Sequence, residues 1–300
     1  MLDSLDALVL LAKNNTGKTI AVAAAEDLHT LEALKRIQQQ YLVRMILVGD
    51  REKIYQYCET LAFDIRDTEV IHSPHSTEAC SIAVSLVKQG RADVLMKGMV
   101  NSGIYLRAIL DKVNGLRASG LIAQMALIEA PFYHKIFAIT DAGLNISPSL
   151  KDKTEIIRQI VGMFRRLNIQ KPRIALISAQ ENISESIPAS VDAAVLSMMG
   201  FRQMLGECIV EGPLSIDLAF SADSCRHKGI ETRVGGETDC ALFPDINSAN
   251  TFYKTITQLY SGKSASFLTG TTAPVVFTSR SDTVETKYYS VACALAECGH

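Results

Sequence analysis

The chain has 300 residues, 48% of them hydrophobic, enough to bury a large core in two lobes or in one large one. A net charge of −2, no Trp and only 6% aromatic residues argue against the basic face and stacking platforms of a nucleic-acid binder. No run of 18 apolar residues occurs and Met1–Asp6 is acidic, so neither a membrane span nor a signal peptide is expected, and the seven scattered cysteines, without a C-x-x-C, fit reduced thiols in a cytoplasm.

Leu5 to Lys13 is apolar enough for a docking helix. The next segments alternate: strand Thr19–Ala25, helix Asp27–Gln40, strand Val43–Val48, helix Glu52–Leu61, strand Glu69–His72, helix Thr77–Gln89, strand Ala92–Gly98 and helix Asn101–Lys112. In the first helix Leu28, Leu31, Leu34 and Ile37 give one apolar face. Such alternation predicts right-handed crossovers and a parallel sheet covered on both faces. Ile122–Ala130 and Lys135–Thr140 break it, because Pro131–His134 is too short for a helical crossover; this pair should be antiparallel. Alternation then resumes with helix Lys151–Leu167, strand Ile174–Ser178, helix Pro188–Met199, strands Cys208–Glu211 and Cys240–Phe243, and helix Ser248–Tyr260. Ser266–Leu268 and Val275–Phe277 should return to the first lobe, followed by a helix over Asp282–Glu297. The expected fold class is α/β: two doubly wound α/β domains with a cleft between them, like the isocitrate and isopropylmalate dehydrogenases. The expected domains are 1–131 plus 268–300, and 132–267, the second carrying dimerisation.

Nucleotide and metal signatures are missing. Gly17-Lys18-Thr19 and Gly262-Lys263-Ser264 resemble the tail of a P-loop, but Ala12 and Thr257 stand where its first Gly belongs. No G-x-G-x-x-G follows a strand. Of the histidines only His72 and His75 are close, across a Pro, and there is no H-E-x-x-H or aspartate cluster, so no metal site is expected.

Polar groups gather at strand exits, where ligands of open α/β sheets sit. Thr278-Ser279-Arg280-Ser281 follows a short β-branched run and precedes a helix, whose first N–H groups favour an anion; one Arg between hydroxyls suits a phosphate. Lys97-Gly98, with Asn101 and Ser102, follows a buried strand, where a Lys is costly unless it meets water or an anion. Gly98 would let backbone approach a ligand. Arg107 lies in the following helix and reads either as a second cation or as a solvated charge. Asp141 and Asn145 could order a loop by Asx turns, and Gly212-Pro213 reads as a turn.

These residues carry a resemblance. Ala92–Leu110, Phe137–Pro148, Ile209–Asp217, Asp245–Lys254 and Ala273–Lys287 are similar, in order, to stretches of the phosphate acetyl/butyryltransferase family, and above all to its butyryl branch. The resemblance implies two α/β domains, the first completed by the C-terminal segment, and a homodimer or higher homo-oligomer. It implies transfer of a short acyl group, butyryl or branched, between CoA and inorganic phosphate, with acyl-CoA and phosphate as substrates and no bound cofactor. Ser279 and Arg280 would contact carbonyl and phosphate, with Arg107 a second cation. Lys97, Gly98, Asn101, Ser102, Asp141, Asn145, Gly212 and Pro213 would bind substrate. The family's thiol base is an acidic residue shortly after the Ser-Arg pair; here Asp282 and Glu285 are both candidates. Direct thiolate attack in a ternary complex is the simplest mechanism. The alternatives are transfer of acetyl instead, or a non-catalytic protein that binds CoA or acyl phosphate. A metal-dependent hydroxyacid dehydrogenase has a similar fold, but needs an aspartate cluster that this sequence lacks.

Overall fold

A computed structural model describes residues 3–118 and 120–298. It divides into two compact units, one formed by Leu5–Ile122 with the chain from Ala265 onward, the other by Ala123–Ser264. In the first, α1 (Leu5–Ala12) precedes β1 (Thr19–Ala23), α2 (Leu28–Gln40), β2 (Arg44–Gly49), α3 (Arg51–Thr60), β3 (Glu69–His72), α4 (Ser76–Lys88), β4 (Val94–Lys97) and α5 (Ser102–Ile109). The middle unit holds β5 (Ala123–Glu129), β6 (Phe137–Thr140), α6 (Leu150–Arg166), β7 (Arg173–Ile177), α7 (Pro188–Phe201) and β8 (Ile209–Leu214). It continues with α8 (Ile216–Phe220), α9 (Ala222–Lys228), β9 (Cys240–Leu242) and α10 (Ile246–Lys254), extended by a π-wound turn over Thr255–Leu259. β10 (Lys263–Thr269), β11 (Val275–Val276) and α11 (Val284–Glu297) follow.

In the first unit the strand order is β3-β2-β1-β4-β11-β10. All neighbours are parallel except β10 and β11, which form an antiparallel hairpin. β1 and β4 are buried along their whole length, which is why their sequences are apolar runs without alternation. α11 is the centrepiece: every residue from Lys287 to Glu297 is buried, and the helix packs on α1 and α2. Polar ties fix it there, Tyr289 Oη donating to Asp6 (2.9 Å) and Asn15 Nδ2 to the Leu295 carbonyl (2.7 Å).

The middle unit runs β5-β6-β9-β7-β8. β5 and β6 are antiparallel, in register Ala126↔Ile139, as their short connection requires, and the other neighbours are parallel. Phe137, Leu218, Phe243 and Tyr253 centre its core. Edge-on ring contacts of Phe137 with Tyr133 (5.4 Å) and Phe220 (4.7 Å) order it further. Among the described residues no helix is long and apolar enough to cross a membrane.

Three local expectations shift. α5 stops at Ile109 rather than Lys112, because the chain doubles back and Leu116 N–H bonds the Ile109 carbonyl (2.9 Å). The strand expected to end at Glu211 runs on to Leu214. Gly212-Pro213 therefore lies inside β8, in a bulge against β7 between Ala175 and Ile177, where Pro's missing N–H breaks no ladder bond. The short α8 and α9 were not anticipated. They are five and seven residues long, too short for a periodic signal, and α9 is announced only by its Ser221 cap and its left-handed Gly229.

Candidate active site

Three strand exits of the first unit converge by pairing alone, since β4 lies between β1 and β11. Gly98 donates to the Ala23 carbonyl (2.9 Å), and a Cβ there would lie 2.1 Å from the Ala24 oxygen. The close approach this glycine permits is thus to β1 backbone. It sets the course of β4 at its last residue, Lys97.

Lys97 is 1% exposed, and among the described residues no hydrogen bond or ion pair reaches its Nζ. Burying a cation without a partner is expensive. Burial, then the positive charges of Lys287 and Arg280, push its pKa down to about 8, against the opposing pull of Asp282 and Cys80. Burial pushes the Cys80 thiol up to about 11.

The segment after β11 is a tight polar turn. Ser279 N–H donates to Asp282 Oδ2 (2.7 Å) and Asp282 N–H to the Ser279 carbonyl (3.2 Å). The turn leaves Ser279 and Arg280 exposed while Asp282 is buried. Lys287, also 1% exposed, aims Nζ at the Ser279 carbonyl (3.5 Å) and sits 3.9 Å from Asp27, whose carboxylate caps α2. Burial pulls the Lys287 pKa down, against Asp27 and Asp282. Thr278 Oγ1 is buried without a hydrogen-bond partner. Glu285 is exposed in the first turn of α11.

Asn101 caps α5, accepting from Gly103 N–H (2.8 Å), and Ser102 is that helix's first residue. Arg107 is exposed and lines a groove of about 650 Å³ between α4 and α5, with Thr77, Ser81, Ser85 and Arg91. The structure thus joins Lys97, Arg280 and Asp282 in one cluster, adds Lys287, and sets Arg107 in this groove.

The remaining predicted residues belong to the middle unit. Asp141 is 2% exposed. It accepts from the backbone N–H groups of Gln124, Gly143, Leu144 and Asn145 and from Asn145 Nδ2 (2.6 Å). Burial raises its pKa and these donors oppose the rise. The Asx-type loop expected here is what forms. Gly212 packs where a Cβ would meet the Leu176 oxygen at 2.6 Å, and its carbonyl accepts from Ser197 Oγ (2.9 Å).

Sequence reasoning missed the inward role of Lys287 and the anchoring by Asp27. A signal existed for the first: Lys287 lies one helical turn ahead of the apolar stretch that starts at Val291. Asp27 reads as a cap and nothing more. Among the described residues no group of His, Cys, Asp or Glu could hold a metal ion.

The family model described as "Phosphate acetyl/butaryl transferase" matches residues 73–295, which include every cluster residue except Asp27. The chain is 36% identical to the phosphate butyryltransferase of Clostridium acetobutylicum over 300 residues, all of both chains. It is also 36% identical to the phosphate acetyltransferase of Thermotoga maritima, over 96% of this chain and 97% of that one. Among solved structures it resembles a branched-chain phosphotransacylase from Enterococcus faecalis, with a TM-score of 0.82 and 28% identity over 94% of this chain and 99% of the other. A phosphotransacetylase from Streptococcus pyogenes, at 20% identity, shares the fold with a TM-score of 0.80. With its order of elements, its Lys-Gly and Ser-Arg strand exits and these matches, the chain belongs to the phosphate acetyl/butyryltransferase family.

Proposed function

We propose that the protein is a phosphotransacylase that moves a short acyl group, butyryl or branched, reversibly between CoA sulfur and inorganic phosphate. One observation carries this reading beyond family membership. Three cations, Lys97, Arg280 and Lys287, gather at the carboxyl ends of β4 and β11 with two carboxylates, Asp282 and, beside Lys287, Asp27. The net positive charge comes from Arg280, which the turn leaves exposed to meet an anion, and the start of α11 adds to it.

In the transfer, a phosphate oxygen attacks the thioester carbonyl and the CoA thiolate leaves. Arg280 and the Ser279 hydroxyl hold the phosphate and the developing oxyanion, where preorganised donors act most strongly. Lys97, Gly98, Asn101 and Ser102 line the site, and Arg107, which faces the groove between α4 and α5, enters as a further phosphate-binding cation through the family resemblance. Asp141, Asn145, Gly212 and Pro213 enter the substrate-binding set through the family resemblance; their visible structural work is to hold a loop and a strand. Holding both substrates at once lowers the barrier without a covalent enzyme intermediate. No step calls for a metal or a resident cofactor. We further read the protein as a cytoplasmic homodimer.

The test follows released thiol with acetyl-, propionyl-, butyryl-, isobutyryl- and isovaleryl-CoA, with and without phosphate, for the wild type and Arg280→Ala. Phosphate-dependent release is expected, fastest with butyryl or branched acyl groups, and reduced by about 10² or more in the variant. No phosphate-dependent release from any thioester rejects the reading. Fastest release from acetyl-CoA makes the protein a phosphate acetyltransferase, the reading that the match to the Thermotoga enzyme keeps in the panel.

A further inference from the structure

We propose that Lys287 is a positioning residue for the transfer, a role that rests on the phosphotransacylase reading above. Its ammonium ties the Ser279-Arg280 turn to Asp27, between β1 and α2, and so fixes the hydroxyl and the guanidinium that meet the substrate. Lys287 acts through that turn and makes no contact with the substrate itself.

The turn calls for such a tie. Ser279 and Arg280 are exposed. The bonds within the turn, Ser279 N–H to Asp282 Oδ2 (2.7 Å) and Asp282 N–H to the Ser279 carbonyl (3.2 Å), hold it only to itself. β11, which leads into it, is two residues long. Phe277 N–H bonds the Ser266 carbonyl (3.1 Å), but the buried Thr278 hydroxyl, one residue nearer the turn, finds no partner among the described residues.

Lys287 supplies the tie from the first turn of α11. It is 1% exposed, and its own N–H is held by the Thr283 carbonyl (3.1 Å). Its Nζ lies 3.5 Å from the Ser279 carbonyl, the oxygen that also accepts the Asp282 N–H, and 3.9 Å from Asp27 Oδ2. Both separations are long for a hydrogen bond, so the attraction is chiefly that of charge for charge and for dipole. Such attraction is stronger where water is excluded.

Asp27 is a firm anchor. It is 8% exposed, and its Oδ2 accepts both the Thr30 N–H (2.9 Å) and the Thr30 hydroxyl (2.6 Å) as it caps α2. Its N–H bonds the Ala25 carbonyl (2.8 Å), and Ala25 N–H bonds the Val48 carbonyl of β2 (3.0 Å). Because β4 lies between β1 and β11, the Asp27–Lys287 pair spans β4. The exit of β4 is closed onto β1 beneath it, Gly98 N–H bonding the Ala23 carbonyl (2.9 Å) and Met99 N–H the Ala24 carbonyl (2.8 Å). The three exits form one frame, and Lys287 carries that frame to the Ser-Arg turn. A displacement of about 1 Å in groups that meet the transition state can cost 10²-fold in rate.

The experiment measures kcat, and KM for butyryl-CoA and phosphate, for wild type, Lys287→Met and Asp27→Asn, each with Arg280 intact and with Arg280→Ala. Circular dichroism confirms folded variants. Asp27→Asn keeps a side-chain oxygen to cap α2, so it reads the tie even if Lys287→Met does not fold. With Arg280 intact, kcat should fall by about 10- to 10²-fold in Lys287→Met and by about 10-fold in Asp27→Asn, with KM within a few-fold of wild type. With Arg280→Ala, both losses should shrink to about two- to three-fold, because the guanidinium to be positioned is gone. Losses that stay at full size beside Arg280→Ala would show Lys287 acting on its own, and overturn the proposal. So would a kcat near wild type in Lys287→Met or, should that variant not fold, in Asp27→Asn. Either result leaves the phosphotransacylase reading standing. A wild type with no phosphate-dependent thiol release from any acyl-CoA rejects both.

Discussion

At the residue scale the site is built against its own stability. Lys97 is buried without a counter-ion contact among the described residues, and its folded pKa, about 8, lies below the 10.5 of a free lysine. For a cation whose pKa falls on folding, the penalty is full below pH 8, where both folded and unfolded chains must carry the proton. It is relieved between about pH 8 and 10.5, where only the unfolded chain binds that proton, so stability rises with pH across this window. Lys97→Met, a substitution of similar volume, should therefore stabilise the protein at pH 7, by up to about 3 kcal/mol if the whole shift is recovered. The gain should shrink when the urea unfolding is repeated at pH 9.5. An equal gain at both pH values would mean that packing rather than charge explains it. Asp141 shows the opposite economy: its carboxylate is saturated by backbone donors, so its work is to hold the loop after β6.

At the element scale, strand exits are placed by contacts that leave no room for variation. The hydrogen atom of Gly98 faces the Ala24 carbonyl, and Gly98→Ala would put a methyl group 2.1 Å from that oxygen. Backbone must move, and β4 must part from β1 at the end that carries Lys97. We expect a loss of roughly 2–3 kcal/mol, as for overpacking against rigid neighbours, together with a fall in thiol-release activity. A variant with unchanged melting temperature and unchanged turnover would show that the exit can relax freely. Boundaries of this kind were hard to read in sequence. The alternation of strands and helices was legible from runs such as Thr19–Ala25 and Val43–Val48, because parallel strands buried on both faces are continuously apolar. The end of α5 and the course of β8 were not, because the return of Leu116 to Ile109 and the bulge at Gly212-Pro213 are decided by tertiary hydrogen bonds.

At the scale of the whole molecule, α7 presents an apolar face to the surface. Met198 is 52% exposed, Phe201 70% and the nearby Met204 54%, with Val195 beside them at 40%. Exposed apolar side chains grouped in this way suit an association surface, and we propose that the homodimer forms through them. The wild type should sediment as a dimer, and Met198→Asp combined with Phe201→Asp should shift it toward monomer, since charge in an apolar interface core is strongly unfavourable. Identical sedimentation of both forms as dimers would move the interface elsewhere on the chain.

The amino-acid sequence alone determined the α/β class, the antiparallel break at Pro131–His134 and the return of the C-terminal segment to the first unit, and it marked the Ser-Arg and Lys-Gly stretches as candidate places for chemistry. Each of these is written in local periodicity, turn length or residue order, which the chain carries wherever it folds. Only the tertiary structure decided which charges meet: that Lys97 is buried and, among the described residues, unpaired, that Lys287 turns inward, and that Asp282 is occupied with the Ser279 turn. These depend on desolvation and on distances between β4, β11 and α11, elements far apart in the chain. Both quantities exist only once the sheet and α11 have closed around them.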